Sequence, residues 1–78
     1  MIKRIVNYIK DEEFRINLYK NKINVVNYID IIVLEETRIS LKYKGGILVI
    51  KGESLSVNKL LDNELLILGK VKSIELEW

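Results

Sequence analysis

The chain has 78 residues, with no cysteine, no histidine and no proline, and its 13 Lys and Arg against 11 Asp and Glu leave a net charge of +2. That length holds one domain, 1–78, without room for a second core, and so short a chain buries only about 60% of the surface that its unfolded form exposes. Disulfides and thiolate metal sites are excluded, and so are imidazole ligands and the ordinary general base at neutral pH, which leaves association with another chain as the remaining source of added stability.

In Met1–Glu13, Ile2, Ile5, Val6 and Ile9 fall at helical spacing, with Lys3, Arg4, Asn7 and Lys10 elsewhere. The segment is read as a short amphipathic helix. Basic residues near its start and Asp11–Glu13 near its end oppose the helix dipole, by roughly 0.3–1 kcal/mol per exposed charge. A helix this short is marginal alone, so it is expected to dock its isoleucines, as a lid on a sheet or as an anchor on a partner or membrane surface. The polar residues interrupt any signal-peptide core, and no apolar run approaches the roughly 20 residues of a spanning helix.

From Phe14 onward, the β domain 14–78, the period is two. Phe14, Ile16 and Leu18 alternate with polar positions. Lys20–Lys22 reads as a turn with Asn21 left-handed, and Ile23 and Val25 resume the alternation. Ile29–Leu34 is nearly all apolar, which predicts a strand covered on both faces or covered on one by a partner chain. Thr37–Tyr43 alternates cleanly and leads through Gly45–Gly46, glycines suited to a positive-φ hairpin turn, into Ile47–Ile50.

Gly52 reads as the next turn, and Leu55 and Val57 follow in alternation. Asp62–Asn63 is a turn before the apolar run Leu65–Leu68, which Gly69 ends. Ile74, Leu76 and Trp78 share the face of the last strand. Val71 has the wrong parity for that face, which reads as a β-bulge at Lys72–Ser73 or a shift of register beside Gly69. Ile50-x-Gly52 followed by Val57 has the same spacing as Ile67-x-Gly69 followed by Ile74. The prediction is a mainly β domain, an antiparallel meander, sandwich or roll, with a short N-terminal amphipathic helix.

No catalytic constellation emerges. Ser40, Ser54, Ser56 and Ser73 lie in strand-like alternation without a base to activate them. Asp11–Glu13 and Glu35–Glu36 are charge runs at element boundaries, better read as solvated than as poised acids. Asp62, Glu64, Glu75 and Glu77 match no metal-loop spacing. Gly45–Gly46 and Lys51–Gly52 form no phosphate-binding motif and lead into no helix. Catalytic, cofactor and metal sites are therefore each expected to be none, and the chain is not expected to be an enzyme.

Two binding readings remain. Tyr19, Tyr28 and Tyr43 with Lys20, Lys22, Lys42 and Lys44 would make a small nucleic-acid-binding β module if they shared one face, although the balanced charge argues against that partner. The stronger feature is association: Ile29–Leu34, Ile47–Ile50 and Leu65–Leu68 are β-prone and apolar, and either cover one another or pair with another chain.

The order of motifs from Ile23 to Trp78 resembles the YabP/YqfC family of sporulation proteins of endospore-forming bacteria, most of all its YqfC-like members. The residues that carry it are Ile39–Tyr43, Gly46, Ile50-x-Gly52-x-x-Leu55-x-Val57, Leu61–Glu64 and Ile67-x-Gly69-x-Val71-x-x-Ile74, closed by Trp78 where a Tyr or Phe slightly earlier is more typical. Met1–Glu13 lies outside the motif. The resemblance implies a small, non-enzymatic, β-rich structural or assembly protein with no catalytic residues to carry over. It implies action in sporulation on the cytoplasmic side, in the mother cell, and peripheral to a membrane where the partner is membrane-associated. The expected partners are a second copy of the chain or another sporulation protein, with no small-molecule substrate.

Overall fold

The computed structural model describes residues 13–77. The expected helix over 1–13 lies, but for Glu13, outside them, as does Trp78. Every regular element described is a strand: β1 (Arg15–Leu18), β2 (Lys22–Val26), β3 (Asp30–Leu34), β4 (Arg38–Tyr43), β5 (Gly46–Leu61) and β6 (Glu64–Glu77). All pairings are antiparallel, in one sheet of order β1-β2-β6-β5-β4-β3.

The long strands organise the rest. β5 runs for 16 residues and β6 for 14, paired along their length as one hairpin whose tip is Asp62–Asn63. Along β5, β4 pairs only with Gly46–Lys51, and along β6, β2 pairs only with Glu64–Leu68. The sheet therefore has two halves. One is β3, β4, the start of β5 and the end of β6; the other is β1, β2, the start of β6 and the end of β5.

These halves are folded on one another. By register Phe14 lies beside the hairpin tip and Tyr43 beside the far end of β6. Along an unbent sheet the 14 residues of β6 would hold them roughly 40 Å apart, at ~3.3 Å per residue. Their rings instead stack with centroids 4.1 Å apart. A two-layer β-sandwich results, of the kind in which strands pass from one layer to the other through a bend.

The bend falls at Gly52 and Gly69. Gly52 is buried, and a Cβ on it would strike the Lys70 carbonyl; a Cβ on Gly69, whose φ is +128°, would stand 2.6 Å from the Ser54 carbonyl. Neither glycine ends a strand, contrary to the expectation of turns there. Each lets one backbone pass close to the other while both strands continue. Around them the register slips between Lys51 and Gly52, where Lys72 is the unpaired residue, and again between Glu53 and Ser56. The predicted bulge at Lys72–Ser73 is thus present. Ser54 takes the left-handed conformation, with φ 54°.

Inside, Ile23, Val25, Ile39, Leu41, Leu48, Ile50, Leu55, Leu65 and Ile67 form one buried cluster drawn from both layers. The layers correspond residue by residue. Ile23–Ile67–Val57 is a cross-strand row in one, and Ile39–Ile50–Ile74 is the matching row in the other. The Gly52 N–H donates to Thr37 O at 3.0 Å, and the Gly69 N–H to Asn21 O at 3.3 Å. A pseudo-twofold axis through the β5–β6 hairpin accounts for the repeated Ile-x-Gly spacing.

Two turns differ from expectation. The first β-hairpin bends at Lys20–Asn21, but the left-handed residue is Asn27, with φ 67°. Asn27 stands where the chain leaves β2 for β3, and its bonds stay within the β1–β2 half: its N–H donates to Asn63 O, its side-chain amide to Glu13 O, and its side-chain oxygen accepts from Asn63. In the β4–β5 hairpin Lys44 and Gly45 form the turn and neither has positive φ; of the two expected glycines it is Gly46, the first residue of β5, that has it, with φ 158°.

Candidate functional site

A sandwich built from one folded sheet leaves strands with a partner on one side only. Among the described residues these are β1, β3, the Ser56–Leu61 end of β5 and the Lys70–Glu77 end of β6. On each, backbone N–H and C=O groups along the outer side have no strand partner among the described residues, which makes a template for an added strand.

The edges are apolar where solvent normally selects polar residues. On β1 Leu18 is 64% exposed; along β3 Ile29, Ile32 and Leu34 are 58%, 51% and 59% exposed. Ile32 is the bulged residue of β3, left unpaired between Ile31 and Val33. Cover on both faces, the first expectation for Ile29–Leu34, is not what the structure has: the segment is an outer edge, with only Ile31 packed against the core cluster, and the alternative of cover by a partner chain is a matter for the proposal below. Leu60 and Leu61 add exposed surface beside the hairpin tip.

The sequence places Leu18 on the apolar side of its strand with Phe14 and Ile16, and nothing in it marks Leu18, Leu60 or Leu61 as exposed. Their alternation is that of a core strand, since Leu18 pairs with buried Ile23 and shares its face. Strand order, which alternation does not encode, is what leaves Leu18 uncovered.

The motif residues lie in the frame between these edges. Ile50, Leu55 and Ile67 are buried, Val57, Val71 and Ile74 pack against them, Gly52 and Gly69 form the bend, and Gly46 begins β5. They shape the sandwich and present no polar group to a ligand.

The serines do not converge. Ser40 is buried with its hydroxyl unpartnered among the described residues, Ser54 and Ser56 are exposed, and Ser73 is half-buried near the bend. Asp62 and Glu64 lie at the hairpin tip and Glu75 and Glu77 at the other end of β6. Among the described residues no three carboxylates cluster as a cation site would require.

The aromatic residues are not brought into one stacking row. Tyr43 is held against Phe14 and Tyr28 packs on the core, while Tyr19 is exposed with the Lys22 ammonium 5.1 Å from its ring centroid. No described helix is long and apolar enough to cross a membrane. The ion pairs among the described residues are Lys51–Glu75 at 3.5 Å and Lys72–Glu53 at 3.1 Å, both half exposed beside the bend. Pairs so exposed contribute about 0–1 kcal/mol each.

No curated protein and no solved structure matches the chain. A family model does match, over residues 10–77, which takes in all six strands, the glycine bend and the free edges. The chain belongs to the YabP family.

Proposed function

We propose that this chain is a non-enzymatic assembly component of sporulation that acts by strand-edge pairing with other protein chains. The family supports the sporulation role. The observation that carries the mode of action is the set of free edges with exposed Leu18, Ile29, Ile32 and Leu34. Solvent-exposed edges of this composition are a liability in a monomer and an asset in an assembly. In this reading the protein works on the cytoplasmic side of the mother cell, and its partners are copies of itself or another sporulation protein, a membrane-associated one included.

The test is affinity capture of the tagged full chain from sporulating and from vegetative cells, alongside spore counts in a strain lacking the gene. Capture of the same protein partners in sporulating cells, lost with Leu34→Lys, and a fall in spore counts are expected. A deletion strain that forms spores normally, or captured material that is nucleic acid with no protein partner, would overturn the proposal.

A further inference from the structure

The two outer strands are alike in shape and, taken with the turns that follow them, opposite in charge. Under the pseudo-twofold axis β1 corresponds to β3, and Leu18, paired with Ile23, corresponds to Leu34, paired with Ile39. Both leucines are exposed, at 64% and 59%. From Arg15 to Lys22 the chain carries Arg15, Lys20 and Lys22 and no acidic residue; from Asp30 to Glu36 it carries Asp30, Glu35 and Glu36 and no basic one. All six charged residues are exposed, and none enters the ion pairs found among the described residues.

We propose that copies of this chain assemble head to tail, the basic β1 edge of one pairing with the acidic β3 edge of the next. This rests on the association reading above and specifies its partner and its surface. Pairing β1 with β1, or β3 with β3, sets like charges side by side, which disfavours adjacent strands. Pairing β1 with β3 places Arg15 and Lys20 beside Asp30 and Glu35–Glu36 whichever way the strands run. It also brings Leu18 and Leu34 together away from water. Each copy has one edge of each kind, so the contact is heterologous and propagates into a filament or closes into a ring.

The test is sedimentation equilibrium of the purified full chain over a range of concentrations, at low salt and at about 0.5 M salt, where exposed charges are strongly screened. The parent is expected to grow beyond two chains at low salt and to associate on the order of tenfold more weakly at high salt. Two charge-reversed variants, Arg15→Glu with Lys20→Glu and Glu35→Lys with Glu36→Lys, change exposed side chains only, and circular dichroism checks their folding. Each is expected to be monomeric alone, because its two edges then carry the same sign. Mixed in equal amounts, they restore opposite charges at every β1–β3 contact, and the mass again exceeds two chains.

A mixture that stops at two chains indicates an isologous edge contact and overturns the head-to-tail scheme. So does association indifferent to salt and to both reversals, or a parent that stays monomeric throughout. Failure of the wider assembly role reads differently, as normal spore counts and no captured protein partner.

Discussion

Phe14 stacks on Tyr43 with ring centroids 4.1 Å apart and planes 12° from parallel, joining the residue that leads into β1 to the end of β4 in the opposite layer. Both side chains are half-buried and pack against the core cluster. Either aromatic replaced by Ala is expected to lower stability by about 2 kcal/mol, below the 3–5 kcal/mol of a fully buried ring. A double-mutant cycle by urea unfolding should return about 1 kcal/mol of coupling for the stacked pair. Coupling near zero would mean that the layers are held together by the aliphatic core alone.

Gly52 and Gly69 make the bend possible, each with its Cα against a carbonyl of the neighbouring strand. Gly52→Ala and Gly69→Ala are each expected to cost about 2–3 kcal/mol, from the backbone shift that a methyl group forces and, at Gly69, from the φ of +128°. Gly45→Ala is the comparison: it meets only the Tyr43 side chain and lies in an exposed turn, so its cost should be smaller. Thermal midpoints of the three variants would rank them. Equal shifts would show that the bend does not depend on close approach.

What could be read in advance follows from which physical property each feature depends on. Alternation of apolar and polar residues follows burial on one face, so the strands containing Ile23, Leu41 and Ile74 were legible. The parity break at Val71 likewise revealed the slip at Lys72. Gly52 and Gly69 suggest turns in the sequence because a glycine needed for close backbone approach is spelled like one that ends a strand. The left-handed residue is Asn27 and not Asn21, because its conformation is held by Glu13 and Asn63, both distant in sequence. The edge position of Ile29–Leu34 is a matter of strand order, and an apolar segment reads the same in the middle of a sheet as at its rim. The candidate surface was therefore visible as composition but not as a place.

Asn27 gives a third expectation. It combines a φ of 67° with side-chain hydrogen bonds to Glu13 O and Asn63. Asn27→Gly keeps the backbone conformation and loses the side-chain bonds, so a loss of about 1 kcal/mol is expected; Asn27→Val loses both and should cost about 1–3 kcal/mol more. Urea midpoints would separate the two contributions. A valine variant as stable as the glycine variant would show that left-handed backbone is not required between the layers.

Ser40 presents the opposite case, a polar group whose removal should help. It is 2% exposed on the outer face of β4, opposite Val49, and its hydroxyl has no hydrogen-bond partner among the described residues. An unmatched buried hydroxyl costs free energy, whereas an alanine there leaves nothing unsatisfied and only a small void. Ser40→Ala is expected to be neutral or to stabilise by up to about 1 kcal/mol, while Ile50→Ala in the core should lose about 2–5 kcal/mol. A destabilisation above about 1 kcal/mol for Ser40→Ala would mean that the hydroxyl is bonded in solution.

Leu34 separates stability from association. Its side chain is 59% exposed at the end of an edge strand, so it adds little to the core, and its backbone pairing with Ile39 does not depend on the side chain. Leu34→Lys is expected to change unfolding stability by less than about 0.5 kcal/mol. The same lysine protects the edge by adding a charge that a pairing strand must desolvate. Light scattering should therefore show less self-association at an unchanged thermal midpoint. Matching behaviour of Leu18→Lys, the corresponding position on β1, would show that both edges take part. If association survives both substitutions, the contact lies on the remaining free edges, Ser56–Leu61 or Lys70–Glu77, and the outer strands are only the ends of the sheet.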